Sequence, residues 1–445
     1  MNFKKLTLMG VASAVFATLL TTTTTVPANA AEDYIFLPST VYRTGAYAPN
    51  GVPFANGVAD YISLVNAKGG INGIKIKLTE CEFGYKTDVG VECYEKLKGN
   101  GPKGAAVFNP LSTGLTYQLI EKSWVDHIPV HSMGYGRTAA ADGRVFKWIF
   151  NFPTSYWSQA SAVIKYIGGE EGGMDKLKGK KIVHVYHNSA YGKEANPTLE
   201  ILAKKYGIKL TLLPVDHPGQ EQKATWLQVR RIKPDWVFMS GWGVMNQVAI
   251  KEAAAIGFPM DKFIGNWWSS TESDVVPAGD AAKGYKGTAF HGAGDSWPAH
   301  AEIKKLVHGK GMGAGPIEGV GEVLYNRGVM NMVYSTEAMR TAMKKFGNKA
   351  LSGTEMRWGL ENLNLTAARL KELGLGGFAN PIKISCKDHE TNGPVRIMQW
   401  DGKKWVWASK WITPLSKVVR PMIEKAAMAY SVEKKVPMRK CDGTD

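Results

Sequence analysis

Residues 180–242 run "KKIVHVYHN" (180–188), "YGKEANPTLEILAKKYG" (191–207), "IKLTLLPVD" (208–216), "KATWLQVRRIKP" (223–234) and "DWVFMSGW" (235–242). The first, third and fifth pieces are short apolar runs rich in β-branched and aromatic residues, which reads as buried strand. The two between them carry apolar residues at helical spacing. A helix, "NQVAIKEAAAIG" (246–257), and a strand, "KFIGNWW" (262–268), continue the series. Strand and helix in strict alternation predict a parallel sheet covered by helices on both faces.

The same alternation lies upstream. "DYIFLPSTVY" (33–42) reads as strand and "FANGVADYISLVNAKGG" (54–70) as a helix stopped by Gly69-Gly70. "IKIKLTEC" (74–81), "AAVFNP" (105–110) and "IPVHS" (128–132) read as further strands, separated by the helices "DVGVECYEKLKG" and "TYQLIEKSWVDH". Between the two series, "IFNFPTSYWS" (149–158) is extended, aromatic and broken by Pro153. Two α/β lobes joined by an extended crossover are expected, alike in pattern but without a sequence repeat. Downstream come a glycine-rich loop, helical segments around 321–347 and 354–373, and "VRIMQWDGKKWVWASKWI" (395–412). The last alternates across Asp401-Gly402 as a β-hairpin does. From Pro414 the chain is charged and partly helical.

The N-terminus has Lys4 and Lys5, an uncharged apolar run from Leu6 to Leu20, and Ala28-Asn29-Ala30 before Ala31. That is the pattern of a cleaved secretory signal peptide over residues 1–30, too short for a membrane span. With no Cys at the cleavage point, no lipid anchor is indicated. The chain is therefore expected to be exported. Four cysteines suit an oxidising compartment; Cys81 with Cys93 and Cys386 with Cys441 is the expected pairing, though four allow three connectivities. The net charge is +16. The basic residues do not form a block interleaved with stacking aromatics, so nucleic acid is not an expected partner.

Catalytic motifs are missing: no G-x-S-x-G, H-E-x-x-H, P-loop or complete G-x-G-x-x-G occurs. His184 and His187 sit along and at the end of one strand and make a poor metal pair, and "CKDHE" (386–390) reads as a solvated turn. A binding protein without cofactor or metal is expected, rather than an enzyme. "FIGNWWSS" (263–270) then stands out, because it places two tryptophans where a strand opens into a loop, and loops at the carboxyl ends of parallel strands are where open α/β sheets bind ligands.

"TGAYAPNG" (44–51), "NAKGGINGIKIKL" (66–78), "NPLSTGLTYQLIEK" (109–122), "YHNSAYGKE" (186–194), "KPDWVFMSGWG" (233–243) and "KEAAAIGF" (251–258), in this order, resemble the periplasmic solute-binding proteins of ABC importers of the branched-chain amino acid (leucine/isoleucine/valine) type. The resemblance spans roughly residues 33–400. It implies the type I periplasmic-binding-protein fold: two doubly wound α/β lobes on a three-segment hinge that closes over a ligand. Residues 31–153 and 291–375 would form lobe 1, and 154–290 and 376–445 lobe 2. A monomer docking transiently on an inner-membrane ABC permease is implied.

Carried over from that family, Ser112 and Thr113 at a helix start, with Thr116 as alternative, would hold a ligand carboxylate. Free N–H groups and hydroxyls at a helix N-terminus suit an anion; Ser112 would equally serve as an N-cap. Ser132 and Tyr135 follow at the next strand end, and Tyr42 and Arg43 on the first loop. The departures concern the amino group. Amino acid binders of the family place an acid after the strand corresponding to "FIG", and Trp267 stands there. The crossover, which often offers another, reads Tyr156-Trp157. Trp242 replaces a frequent Tyr. Adjacent strand residues face opposite ways, so one of Trp267 and Trp268 is expected in the cleft, and Trp267 is favoured. His187 or Tyr191 would meet a ring hydroxyl or close the cleft. The pattern is similar to a subgroup taking up lignin-type aromatic acids, hydroxycinnamates and hydroxybenzoates. Alternatives are a branched-chain amino acid or amide ligand, an exported hydrolase on the same scaffold, and a ligand-sensing module.

Overall fold

The structure, a computed structural model, describes residues 33–442. The signal-peptide reading of residues 1–30 lies outside them. Among the described residues thirteen strands are formed. The first lobe carries β1 (Tyr34–Val41), β2 (Lys75–Glu82), β3 (Val130–His131) and β4 (Ile149–Phe150). The second carries β5 (Lys181–His187), β6 (Lys209–Val215), β7 (Trp236–Ser240), β8 (Phe263–Gly265) and β9 (Lys286–Ala289). After them come the short β10 (Asn364–Leu365) and β11 (Ile382–Lys383), then β12 (Arg396–Trp400) and β13 (Trp405–Trp407).

β1 and β2 pair in parallel from Tyr34↔Lys75 to Val41↔Glu82. Bridges Phe36↔Ala105, Ser39↔Asn109 and Phe108↔Val130 extend this sheet through residues 105–109 to β3, which pairs with β4. The second sheet has the order β13-β12-β9-β8-β7-β5-β6. Its β5 to β9 strands are parallel, as the alternation requires, and the hairpin foreseen at Asp401-Gly402 adds β12 and β13 antiparallel at its edge. Strands covered on both faces read as continuous apolar runs; every residue of "WVFMS" (β7) is buried.

Against the first sheet pack two long helices, Ala48–Ala67 and Val323–Phe346. Their crossing is set by reciprocal glycines. A Cβ on Gly57 would run into the Tyr325 carbonyl, and one on Gly328 into the Phe54 carbonyl. Only residues without a side chain allow such close backbone approach.

The chain passes between the lobes three times. It leaves β4 for the helix Tyr156–Glu170, N-capped by Ser155, and returns after β9. The third passage lies beyond the expected position near 375. β11 pairs with β10, Ile384 N donates to Leu363 O, and His389 N donates to Ala141 O, so the chain stays with the first lobe until about residue 390. The C-terminal helix Ser416–Lys434 also departs from expectation, because it touches both lobes. Tyr430 stacks on Phe146 at 4.7 Å, while Leu415 N donates to Ser161 Oγ. Both foreseen disulfides, Cys81–Cys93 and Cys386–Cys441, are present. Among the described residues no helix is long and apolar enough to cross a membrane.

Candidate functional site

The carboxyl ends of the parallel strands in both sheets face a common cleft. From the first lobe, β1 delivers Tyr42, β2 leads through Gly84 to Tyr85, and residues 105–110 lead to Leu111, Ser112 and Thr113. Tyr85 and Leu111 hold left-handed backbone, with φ of 63° and 44°. For non-glycine residues such backbone costs about 1–3 kcal/mol each and is kept where the surroundings enforce it. Around Leu111 the enforcing bonds are visible: its N–H donates to the Tyr135 hydroxyl at 2.8 Å, and its carbonyl accepts from the Tyr42 hydroxyl at 3.4 Å.

This bend starts the helix Thr113–Asp126. Ser112 is its N-cap, its Oγ accepting from Leu115 N at 3.2 Å, and Thr113 Oγ1 accepts from Gly136 N. The helix therefore opens into the cleft with hydroxyl groups and first-turn N–H groups together. From the second lobe come Tyr156, Tyr191, Trp242 and Trp268. Tyr191 is fixed through its hydroxyl to Gly241 O at 2.9 Å and to the Asn266 side chain.

These ten residues line one cavity. As the lobes stand its walls almost meet, leaving about 20 Å³, roughly what one water needs. Trp242 lies edge-on to Tyr42 at 5.9 Å and to Trp268 at 5.4 Å. Among the described residues the lining includes five tyrosines and two tryptophans but no Asp, Glu, Lys, Arg or His. Burial pushes the phenols of Tyr42, Tyr85, Tyr135, Tyr156 and Tyr191 above their ordinary value, so they are neutral hydroxyls at neutral pH.

One cation lies behind this wall. Arg327, fully buried, sits 4.9 Å from the Trp268 ring and 5.0 Å from that of Phe290. It donates to the Trp267 carbonyl and to His291 Nε2, and burial holds His291 well below its ordinary value and so neutral. Burial also lowers the Arg327 guanidinium, yet it remains charged at neutral pH.

A wider chamber of about 520 Å³ lies outside, sharing Tyr85, Ser112 and Tyr191 with the inner cavity. Lys86, Asp88, His187 and His217 line it. His187 Nε2 lies 2.9 Å from the Tyr47 hydroxyl, joining the lobes across this chamber, and burial followed by the neighbouring His217 brings His187 down to about 4.

Of the residues singled out in the sequence, Tyr42, Ser112, Thr113, Tyr135, Tyr156, Tyr191 and Trp242 share the inner wall, and His187 lies in the outer chamber. The others are placed elsewhere. Arg43 is held by Glu80 through Nε at 2.8 Å and Nη2 at 2.7 Å, and by Asn56, so its fork is occupied. Ser132 is buried against the Phe150 carbonyl, and Trp157 donates to Glu194 O while packing beside the C-terminal helix. Thr116, the alternative to Ser112 and Thr113, is turned back to the Ser112 carbonyl.

Trp267 is the chief correction. β8 ends at Gly265, and Asn266 opens a turn closed by Ser269 N on Asn266 O. Strand alternation no longer applies there. Trp267 stacks behind Tyr156 at 5.6 Å and donates to Gly134 O, while Trp268 reaches the cavity. Tyr85, Leu111 and Arg327 were missed. Tyr85 carried a readable signal, an aromatic at the carboxyl end of a parallel strand; so did Arg327, a lone charge within an apolar helical run.

The chain matches the periplasmic binding protein family over residues 35–404. It therefore belongs to that family, the solute-binding proteins of ABC transporters. A solved structure from the Pseudomonas fluorescens group, described as an ABC transporter permease, is 44% identical, covers 92% of this chain and 100% of its own, with a TM-score of 0.85. A branched-chain amino acid ABC transporter protein from Thermus thermophilus with bound valine is 20% identical over 87% of this chain and 99% of its own, TM-score 0.74. A solute-binding protein from Rhodopseudomonas palustris BisB5 in complex with 3,4-dihydroxybenzoic acid is 16% identical over 86% and 98%, TM-score 0.66. At these last identities the likeness concerns the fold. Among curated protein sequences none matches the chain.

Proposed function

We propose that this solute-binding protein captures a small aromatic carboxylate, of the hydroxybenzoate or hydroxycinnamate type, in the periplasm and presents it to an inner-membrane ABC permease. The observation that carries this is the lining: two tryptophans and five neutral tyrosines, with no acid among the described residues. An α-amino acid would bury its ammonium there without a counterion, which is expensive. A carboxylate is served instead by Ser112, Thr113 and the start of their helix, with Lys86 at the rim and Arg327 behind the wall. The ring then lies between Tyr42, Tyr156, Trp242 and Trp268, each aromatic pair contributing about 0.5–1.5 kcal/mol beyond area burial.

That the same fold holds 3,4-dihydroxybenzoic acid in one protein and valine in another leaves the choice to the lining. The cavity as it stands admits a ring only when the lobes part and reclose, so binding and closure are one event, and the ligand shifts the equilibrium by its preference for the closed form. The function needs no chemistry and no cofactor, and a monomer suffices. Thermal shift tests it. Benzoate and 4-hydroxybenzoate at 100 times Kd stabilise by about 2.7 kcal/mol, whereas leucine and valine leave the melting point unchanged. A shift with leucine alone contradicts it.

A further inference from the structure

Several polar atoms on the inner wall have a partner in the protein. The Tyr42 hydroxyl donates to Leu111 O, that of Tyr135 accepts from Leu111 N, that of Tyr191 donates to Gly241 O, and Thr113 Oγ1 accepts from Gly136 N. The Trp242 indole differs. Its Nε1–H has no hydrogen bond of good geometry among the described residues, and the residue is only 3% exposed, so bulk water does not serve it. This N–H approaches the Tyr42 hydroxyl as a hydrogen-bond partner, opposing the effect of burial on that phenol, but the approach falls short of the geometry that would satisfy the donor. Nor is the indole free to turn, because Tyr42, Tyr85 and Trp268 pack against it at 5.9, 6.5 and 5.4 Å.

An indole N–H is a donor only, and a buried donor left unpaired is costly. The lost bond is recovered if the ligand brings an acceptor. Resting on the aromatic-acid reading above, we infer that Trp242 Nε1–H donates to an oxygen carried on the ligand's ring, away from the carboxylate held at Ser112 and Thr113. The protein is thereby specific for ring-oxygenated aromatic acids, hydroxy or methoxy, over bare benzoate. A site built to hydrogen-bond a substituent rejects the analogue lacking it more strongly than an apolar pocket rejects an extra group.

The test is calorimetric titration of the mature chain with benzoate, 3- and 4-hydroxybenzoate and 4-methoxybenzoate, beside Trp242→Phe, which keeps a ring and removes the donor. In the wild type the best oxygenated acid binds about tenfold tighter than benzoate, a typical worth for one buried hydrogen bond. Trp242→Phe lowers affinity for the oxygenated acid more than for benzoate, so that the preference is lost. Equal binding of benzoate and the oxygenated acids by the wild type overturns the inference while leaving the aromatic reading intact. An equal loss for every acid in Trp242→Phe also overturns it. Binding of leucine with silence from all four acids overturns both. Should the variant fail to fold, the 1H–15N spectrum of the wild type decides: one indole N–H resonance moves with the oxygenated acid and stays put with benzoate, and no differential movement is the contrary result.

Discussion

Trp267 and Trp268 are neighbours in sequence with different work to do. Trp267 is fully buried, stacked on Tyr156 and tied to Gly134 O. Trp267→Ala therefore costs about 3–5 kcal/mol of stability through the cavity it leaves, measurable by urea denaturation. Trp268→Ala, on the wall, is expected to lower aromatic-acid affinity about tenfold with a smaller loss of stability, measurable by calorimetry beside the same denaturation series. Ser112→Ala removes an N-cap and, on the proposed function, a hydroxyl facing the ligand carboxylate, so about 1 kcal/mol of stability and a similar share of binding are expected to go with it. Arg43→Ala is the control. Its pairing with Glu80 is partly exposed, with side-chain exposures of 28% and 27%, so it changes stability by no more than about 1 kcal/mol and ligand affinity by less than twofold.

At the scale of elements, the crossing of Ala48–Ala67 with Val323–Phe346 depends on Gly57 and Gly328 meeting the opposite backbone. Alanine at either position forces the helices apart, and the melting point should fall well below that of Gly99→Ala, where nothing lies within 4 Å. The segment after "FIGNWW" carries a second consequence. Asp274 accepts from Asn246 at 2.9 Å and, across the lobes, from Asn50 at 3.2 Å; Glu272 accepts from Val323 N at 2.8 Å. Burial pushes both carboxyls up to about 7. The folded chain thus holds protons that the unfolded chain releases above the ordinary 3.8 of Asp and 4.5 of Glu. Their contribution is full below those values and is lost as pH rises through about 7. Asp274→Asn should flatten this dependence, so melts at pH 5 and pH 8 differ less in the variant than in the wild type; parallel behaviour of the two contradicts the assignment.

Across the whole molecule the two lobes were legible because buried parallel strands and their covering helices leave distinct periods in the sequence. So were the wall residues Tyr42, Tyr135 and Trp242, which the family resemblance places at strand ends and which line the cavity. Legibility failed where long-range partners decide. Arg43 looked free because Glu80 reaches it from a different strand. The third passage between lobes was misplaced because β10 and β11, two residues each, are too short to leave a pattern. Trp267 was preferred by an alternation rule that holds only inside a strand, and the strand had already ended. The left-handed backbone of Tyr85 and Leu111 has no sequence mark at all, since neither is glycine.

Closure itself is built from contacts between lobes that the ligand does not make. Tyr47 meets His187, Val244 N donates to Ala46 O, and the Glu194 carboxylate accepts from Thr138 N and Oγ1. Such contacts favour the closed arrangement without a ligand, while on the proposed function the aromatic wall selects the ligand. The most direct measurement is therefore calorimetric titration of the protein with 4-hydroxybenzoate and, separately, with leucine. The account predicts saturable one-to-one binding of the aromatic acid, with a negative heat-capacity change from buried apolar surface, and no heat from leucine. Saturable binding of leucine, with none of the aromatic acid, would contradict it and require an acid for the ammonium that the cavity wall does not hold.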